Sequence, residues 1–183
     1  MGDPACLDVN VGPVIDAEAL AMLEAHTAKM DREAKLLCKA VVPPGLGPLL
    51  FATRAYEIPS LEAIDREVFW PVLHVVRYNS ADLARMVDAV NAKGYGLTMG
   101  IPSRIEETIE LVPSRACASN LYVNRNMIGA TVGVQPFGGD GVSGTGPRAG
   151  APHYIFRFAT ERTVSVNTAG AGGNASLMID SED

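Results

Sequence analysis

Between Pro71 and Asn124 the apolar pattern switches repeatedly between strand-like and helix-like periods, with short connections. Pro71–Tyr78 (PVLHVVRY) reads as a mostly buried strand. Ser80 is placed to cap a helix with Leu83, Met86, Val87 and Val90 on one face, and Gly94 stands where that helix ends. Leu97–Ile101 is a short strand. Ser103-Arg-Ile-Glu106 matches a capping box for a helix that runs to Pro113, and Leu121–Asn124 is another short strand. Strands joined this way run parallel, with helices crossing over between them, so the chain is read as an α/β layer.

Upstream, Asp16–Val41 is the clearest helix. Leu20, Leu23, Thr27, Met30, Ala34, Leu37 and Val41 form one stripe, Asp16 can cap it, and Pro43, Pro44, Gly45 and Gly47 end it. A strand near Leu50–Tyr56 follows. Downstream, Thr163–Thr168 alternates polar and β-branched residues, as an exposed strand does, and needs a pairing partner in this chain or another.

Composition removes several functions. Of 183 residues, 15 are Lys or Arg and 21 are Asp or Glu, so the net charge is -6. That balance argues against wrapping nucleic acid or lying on an anionic membrane. No window has the uninterrupted apolar length of a membrane-inserted helix, and MGDPACLDVN lacks the basic start and apolar run of a signal peptide. Three cysteines (Cys6, Cys38, Cys117), with no CxxC, favour a reducing cytoplasm over a disulfide scaffold. Cys38 and Cys117 read as small core residues.

The sharpest stretch is Asn124–Gly150, dense in glycine and low in charge. Ordering it costs much backbone entropy. It admits two readings: a loop whose free N–H groups hold an anion, or a mobile surface loop. Gly139-Asp-Gly141-Val-Ser-Gly144 matches GxGxxG in form only. No clear strand leads into it and Pro147 stands where a helix should start. His26, His74 and His153 are widely spaced, which argues against a metal site. The acidic pairs Asp31–Glu33 and Glu106–Glu107 read as solvated helix faces. Glu67 and Phe69, at the entry to a strand, fit either a strand-end ligand site or an ordinary turn, and the turn is the default.

Six stretches resemble the C-terminal part of an aldehyde dehydrogenase, and more narrowly the glutamate-semialdehyde (1-pyrroline-5-carboxylate) dehydrogenase domain of bacterial proline utilization proteins. They are DVNVGPVID (Asp8–Asp16), REVFWPVLHVVRY (Arg66–Tyr78), GYGLTMG (Gly94–Gly100), SRIEETIE (Ser103–Glu110), Asn120–Gly150 with its NRNMIGATVGVQPFGG core, and ERTVSVNTAGAGGNASLM (Glu161–Met178). The resemblance implies an incomplete aldehyde-dehydrogenase catalytic domain over residues 1–160 and an oligomerisation flap strand with tail over 161–183. It implies NAD-dependent oxidation of L-glutamate semialdehyde to L-glutamate by a cysteine thiolate. Glu67 and Phe69 match nicotinamide-ribose contacts. Gly129 and Ala130 match the loop whose N–H groups anchor the substrate carboxylate, and Phe137 matches the aromatic on its aliphatic part. No catalytic residue is expected in this chain, because none of its cysteines has the nucleophile's sequence context. No metal is expected. Trp70 stands where the family has glycine and is expected to crowd the cofactor or bend the backbone. The expected partners are a complementing N-terminal dehydrogenase half or further copies in a homo-oligomer. Two other functions compete: a non-catalytic interaction module that associates with intact dehydrogenase subunits, and a small-molecule domain that binds an anion in the glycine loop.

Overall fold

The computed structural model describes residues 1–167. Helix α1 spans Ala17–Glu33, and Asp16 caps it by accepting the Ala19 N–H at 2.8 Å. Glu18 lies in its first turn, at the positive end of the helix dipole. The stripe buries Leu23, Thr27 and Met30.

The expected extension to Val41 does not occur. The backbone turns extended at Ala34, and Lys35–Lys39 form strand β1, antiparallel to β2 (Arg54–Glu57). The residues after Ala34 fit the helical stripe, but pairing with β2 satisfies their backbone groups instead. Leu37 and Val41, expected on the buried stripe, are exposed. So are Cys38 and Cys117, which are therefore not core residues.

β2 also pairs in parallel with β3 (Val72–Val75), giving a sheet of order β1-β2-β3. β3 is less buried than its composition predicts: Val72 is buried but Leu73 is 61% exposed. The main core gathers Val14, Leu23, Met30, Phe51, Tyr56, Ile58 and Val72. Met30 and Tyr56 are completely buried. The Tyr56 hydroxyl donates to Asp31 Oδ1 at 2.6 Å, and Arg54 Nη1 reaches both Tyr56 Oη and Asp31 at 3.3 Å. Asp31 therefore ties α1 to β2 and is not simply part of a solvated face.

The second cluster follows. Asn79, not Ser80, makes the first cap: its Oδ1 accepts from Ala81 N across a single 3-10 turn that leads into α2 (Leu83–Asn91). Gly94 adopts φ +77 just beyond α2, a conformation that favours glycine. Then come β4 (Tyr95–Gly96), β5 (Thr98–Ile101), α3 (Glu106–Arg115) and β6 (Asn120–Val123). β5 and β6 are parallel with α3 crossing between them, as the alternation predicts. Val87, Ile101 and Val112 form their core.

The capping box is not made. Ser103 Oγ accepts from Ile105 N at 3.1 Å, and the helix starts at Glu106 without a side-chain cap. The Asn124 side chain takes up the backbone N–H and C=O of Ser103 instead. α3 continues through Pro113 to Arg115, whose guanidinium grips Asp88 of α2 with bonds of 2.6 and 2.7 Å.

The described residues thus form a mixed α/β unit with three small sheets: β1-β2-β3, β5-β6, and β4 with β7 (Asp140–Gly141). At the tail, Thr163–Val166 is assigned no strand, and Val164 and Val166 are exposed. Thr168, the last residue of the expected flap strand, and the small-residue run after it lie outside the described residues.

Tyr56→Phe deletes a hydroxyl that donates to a half-exposed carboxylate. It is expected to cost about 1 kcal/mol in urea unfolding, with an unchanged m-value.

Candidate active-site loop and groove

The glycine-rich loop has a pinned base. Asn120, at the start of β6, is buried, and its Nδ2 donates to Leu97 O at 2.9 Å and Gly138 O at 2.8 Å. Asn124, at the exit of β6, takes φ 53, in the left-handed region that a short polar residue tolerates. Phe137 and Ala149 exchange backbone hydrogen bonds of 3.0 and 2.9 Å. Gly139 and Gly144 pack so tightly that a Cβ at Gly139 would stand 2.5 Å from Ser143 O, and one at Gly144 2.5 Å from Gly139 O. The GxGxxG look-alike is therefore a compact turn carrying β7, not the start of a helix.

The crown of the loop is different. Gln135 closes a short turn, its Oε1 accepting from Thr131 N and its N–H donating to Thr131 O, both at 2.9 Å. Ile128 N donates to Asn126 Oδ1 at 2.6 Å. Between these two turns, the N–H groups of Gly129 and Ala130 make no hydrogen bond among the described residues. A Cβ on Gly129 would meet nothing within 4 Å. Bare adjacent amides on a pinned base are the arrangement an anion needs.

A second feature is a groove of about 1080 Å³ between α1 and the segment 63–71, lined by Ile15, Met22, His26, Glu67, Phe69 and Trp70 among others. Phe69 is 88% exposed, and the Glu67 side chain faces solvent. The Glu67 N–H donates to Tyr95 Oη at 3.1 Å. The Trp70 ring packs against the main core, with its indole N–H buried and unpartnered. Trp70 also lines the groove beside Phe69.

One contact joins residues far apart in the sequence. His26 on α1 and His74 on β3, 48 residues apart, place their Nε2 atoms 2.9 Å from each other. The ring centroids are 5.1 Å apart, so the two nitrogens meet head-on and do not converge on a third point. That is the geometry of one N–H···N bond. Burial pushes both imidazoles below their usual pKa, His26 further through the Lys29 and Arg66 cations and His74 through His26. The available signal was His26 three residues after Leu23, on the flank of the α1 stripe. Among the described residues no group of three or more His, Cys, Asp or Glu can hold a metal ion.

Glu67 and Phe69 therefore share the groove, while Gly129, Ala130 and Phe137 belong to the loop. No hydrogen bond, ion pair or ring contact among the described residues joins the two sets directly. Tyr95 links them: it holds Glu67 N and pairs with Gly141 across β4–β7. None of the three cysteines lines the groove.

The sequence pattern of the aldehyde dehydrogenase family matches residues 1–164. The chain belongs to that family. The bifunctional protein PutA of Rhizobium meliloti is 50% identical over 164 residues, covering 88% of this chain and 13% of PutA. The 1-pyrroline-5-carboxylate dehydrogenase 1 of Halalkalibacterium halodurans is 32% identical over 166 residues, covering 90% of this chain and 32% of that enzyme. The crystal structure of a bifunctional proline utilization A protein superposes with a TM-score of 0.84 at 52% identity, over 93% of this chain and 17% of its own. A Thermus 1-pyrroline-5-carboxylate dehydrogenase with bound NAD superposes with a TM-score of 0.71 at 35% identity, over 80% of this chain and 28% of its own. The chain thus spans under a third of the length of these relatives.

Gly139→Ala is expected to destabilise this dehydrogenase-family chain by about 1–3 kcal/mol, because backbone must move. Gly129→Ala is expected to stay within about 0.5 kcal/mol, and parallel urea titrations distinguish the two. The neutral His26–His74 pair contributes stability that is full above the usual pKa of 6.5 and is lost as pH falls through the lowered folded values. His74→Gln is expected to reduce the fall in the wild-type urea midpoint between about pH 7 and about pH 5.

Proposed function

We propose that this chain supplies the substrate-anchor loop and part of the cofactor site of an NAD-dependent L-glutamate γ-semialdehyde (1-pyrroline-5-carboxylate) dehydrogenase acting in proline degradation. The observation that carries the reading is the pair of bare amides at Gly129 and Ala130 above a hydrogen-bonded loop base. They would accept the α-carboxylate of the substrate, with Phe137 against its aliphatic carbons. Oxidation gives L-glutamate, which keeps the same carboxylate.

The exposed Glu67 carboxylate and Phe69 ring fit a nicotinamide ribose: the carboxylate accepts its hydroxyl protons and the ring offers a flat apolar face. When bound, the nicotinamide takes up the hydride released from the substrate. The cysteine nucleophile and its general base belong to the portion of the relatives that precedes the region matched here. The proposed assembly is a cytoplasmic homo-oligomer, with residues 161–183 forming a flap against another subunit and residues 1–160 packing on the preceding dehydrogenase portion. The position of all three cysteines outside the groove and the loop favours one second reading: a non-catalytic module that binds intact dehydrogenase subunits.

The test is NADH formation from glutamate semialdehyde. The isolated chain is expected to show none. The chain joined to or co-expressed with the preceding dehydrogenase portion is expected to turn over. Gly129→Val in that assembly is expected to raise KM about tenfold with kcat little changed. Turnover by the isolated chain, or an unchanged KM, contradicts the proposal.

A further inference from the structure

Arg148 lies outside the residues assigned to substrate or cofactor, yet it touches Ser119, Gly138, Gly139 and Asp140 at the loop base. Its Nη1 donates to Gly139 O at 2.8 Å. Its Nη2 donates to Ser119 Oγ at 2.6 Å and to the Asp140 carboxylate at 2.5 Å. Ser119 Oγ, with one proton to give, lies 2.6 Å from Asp140 Oδ2 and 3.1 Å from Gly96 O. One guanidinium thus joins the residue before β6 to Gly139 and the start of β7, and Ser119 in turn reaches the end of β4.

The stem of Arg148 adds to this. A Cβ on Gly138 would stand 3.0 Å from Arg148 Cδ, so the aliphatic part lies against Gly138, the residue after Phe137. The residue after Arg148 is Ala149, the backbone partner of Phe137. From Phe137 the chain passes through Pro136 to the turn that Gln135 closes on Thr131, and the next residues back are Ala130 and Gly129. The route from guanidinium to bare amides is a continuous run of hydrogen bonds and covalent backbone. The guanidinium is a planar donor fork that fits several acceptors at once, which an ammonium cannot match. The ion pair is only partly exposed, with Arg148 at 25% and Asp140 at 54%, and the Asp140 carboxyl is held below its usual range by Arg148 and then by Ser119.

We propose that Arg148 is a positioning residue: it straps the loop base so that Phe137 and the amides of Gly129 and Ala130 face one ligand together, an α-carboxylate followed by a short aliphatic chain. The ligand half of this statement rests on the proposed function, whereas the strap itself does not.

The test uses the full chain, with Arg148→Ala, Arg148→Lys and, as a control on another surface ion pair, Arg85→Ala. Amide hydrogen exchange is followed at Phe137 and Ala149, and the Gly129 and Ala130 amide resonances are followed as L-glutamate is added. Arg148→Ala is expected to speed exchange at Phe137 and Ala149 at least about tenfold, leaving Met99–Ile101 of β5 unchanged. It is also expected to weaken the glutamate response about tenfold. Arg148→Lys is expected to restore part of both, and Arg85→Ala to alter neither. Unchanged glutamate affinity in Arg148→Ala, or equal loss at Met99–Ile101, overturns the positioning role. If glutamate moves nothing in the wild-type chain, the carboxylate-anchor reading is what fails. The strap is then decided by the exchange rates alone: it stands on a tenfold rise and falls on no change.

Discussion

Large apolar side chains stand open on the folded body: Ile15, Leu73, Phe69 and Ile128 are 89, 61, 88 and 90% exposed. The body has two separate cores, one of seven buried residues and one of three. Among the described residues, strands β1 and β3 are sheet edges, and β5 and β6 pair only with each other. Unpaired edges and uncovered apolar faces of this extent are costly in isolation. The groove beside α1, with Ile15 and Phe69 standing open, belongs to the same uncovered surface. Packing against a preceding dehydrogenase portion, as proposed, would cover it.

Within that open body the glycine loop divides into a fixed base and a free crown. The base uses side chains that reach across elements: Asn120 to Leu97 and Gly138, Asn124 to Ser103, and Arg148 to Gly139 and Ser119. Glycine is required there where no Cβ fits, at Gly139 and Gly144. At Gly129 space is open, and a Cβ would meet nothing within 4 Å. The two settings are physically distinct although they read alike in the sequence.

Much of this was legible beforehand. Asp16 as a cap, Gly94 after α2, and the parallel β5–α3–β6 crossover follow from local chemistry and period, and the structure has all three. The failures share a cause. Residues 35–41 fit a helical stripe, but β2 lies close enough to claim their backbone, and periodicity carries no information about that neighbour. Ser103 and Glu106 have capping-box spacing, but Asn124 takes the Ser103 backbone from 21 residues away. The His26–His74 contact and the Tyr56–Asp31 bond join positions that only the assembled sheet and helix bring together. In the site, the loop was visible as composition, whereas its strap, Arg148, was one basic residue among glycines until its acceptors were in place.

The most direct test of the account is native mass spectrometry of this chain as drawn from its own cells, identified by peptides from Asn120–Gly150. The account predicts that those peptides occur in an assembly well above 19.3 kDa that also holds the dehydrogenase sequence preceding this region, on the same polypeptide or on another. A stable species of 19.3 kDa with no partner would contradict it.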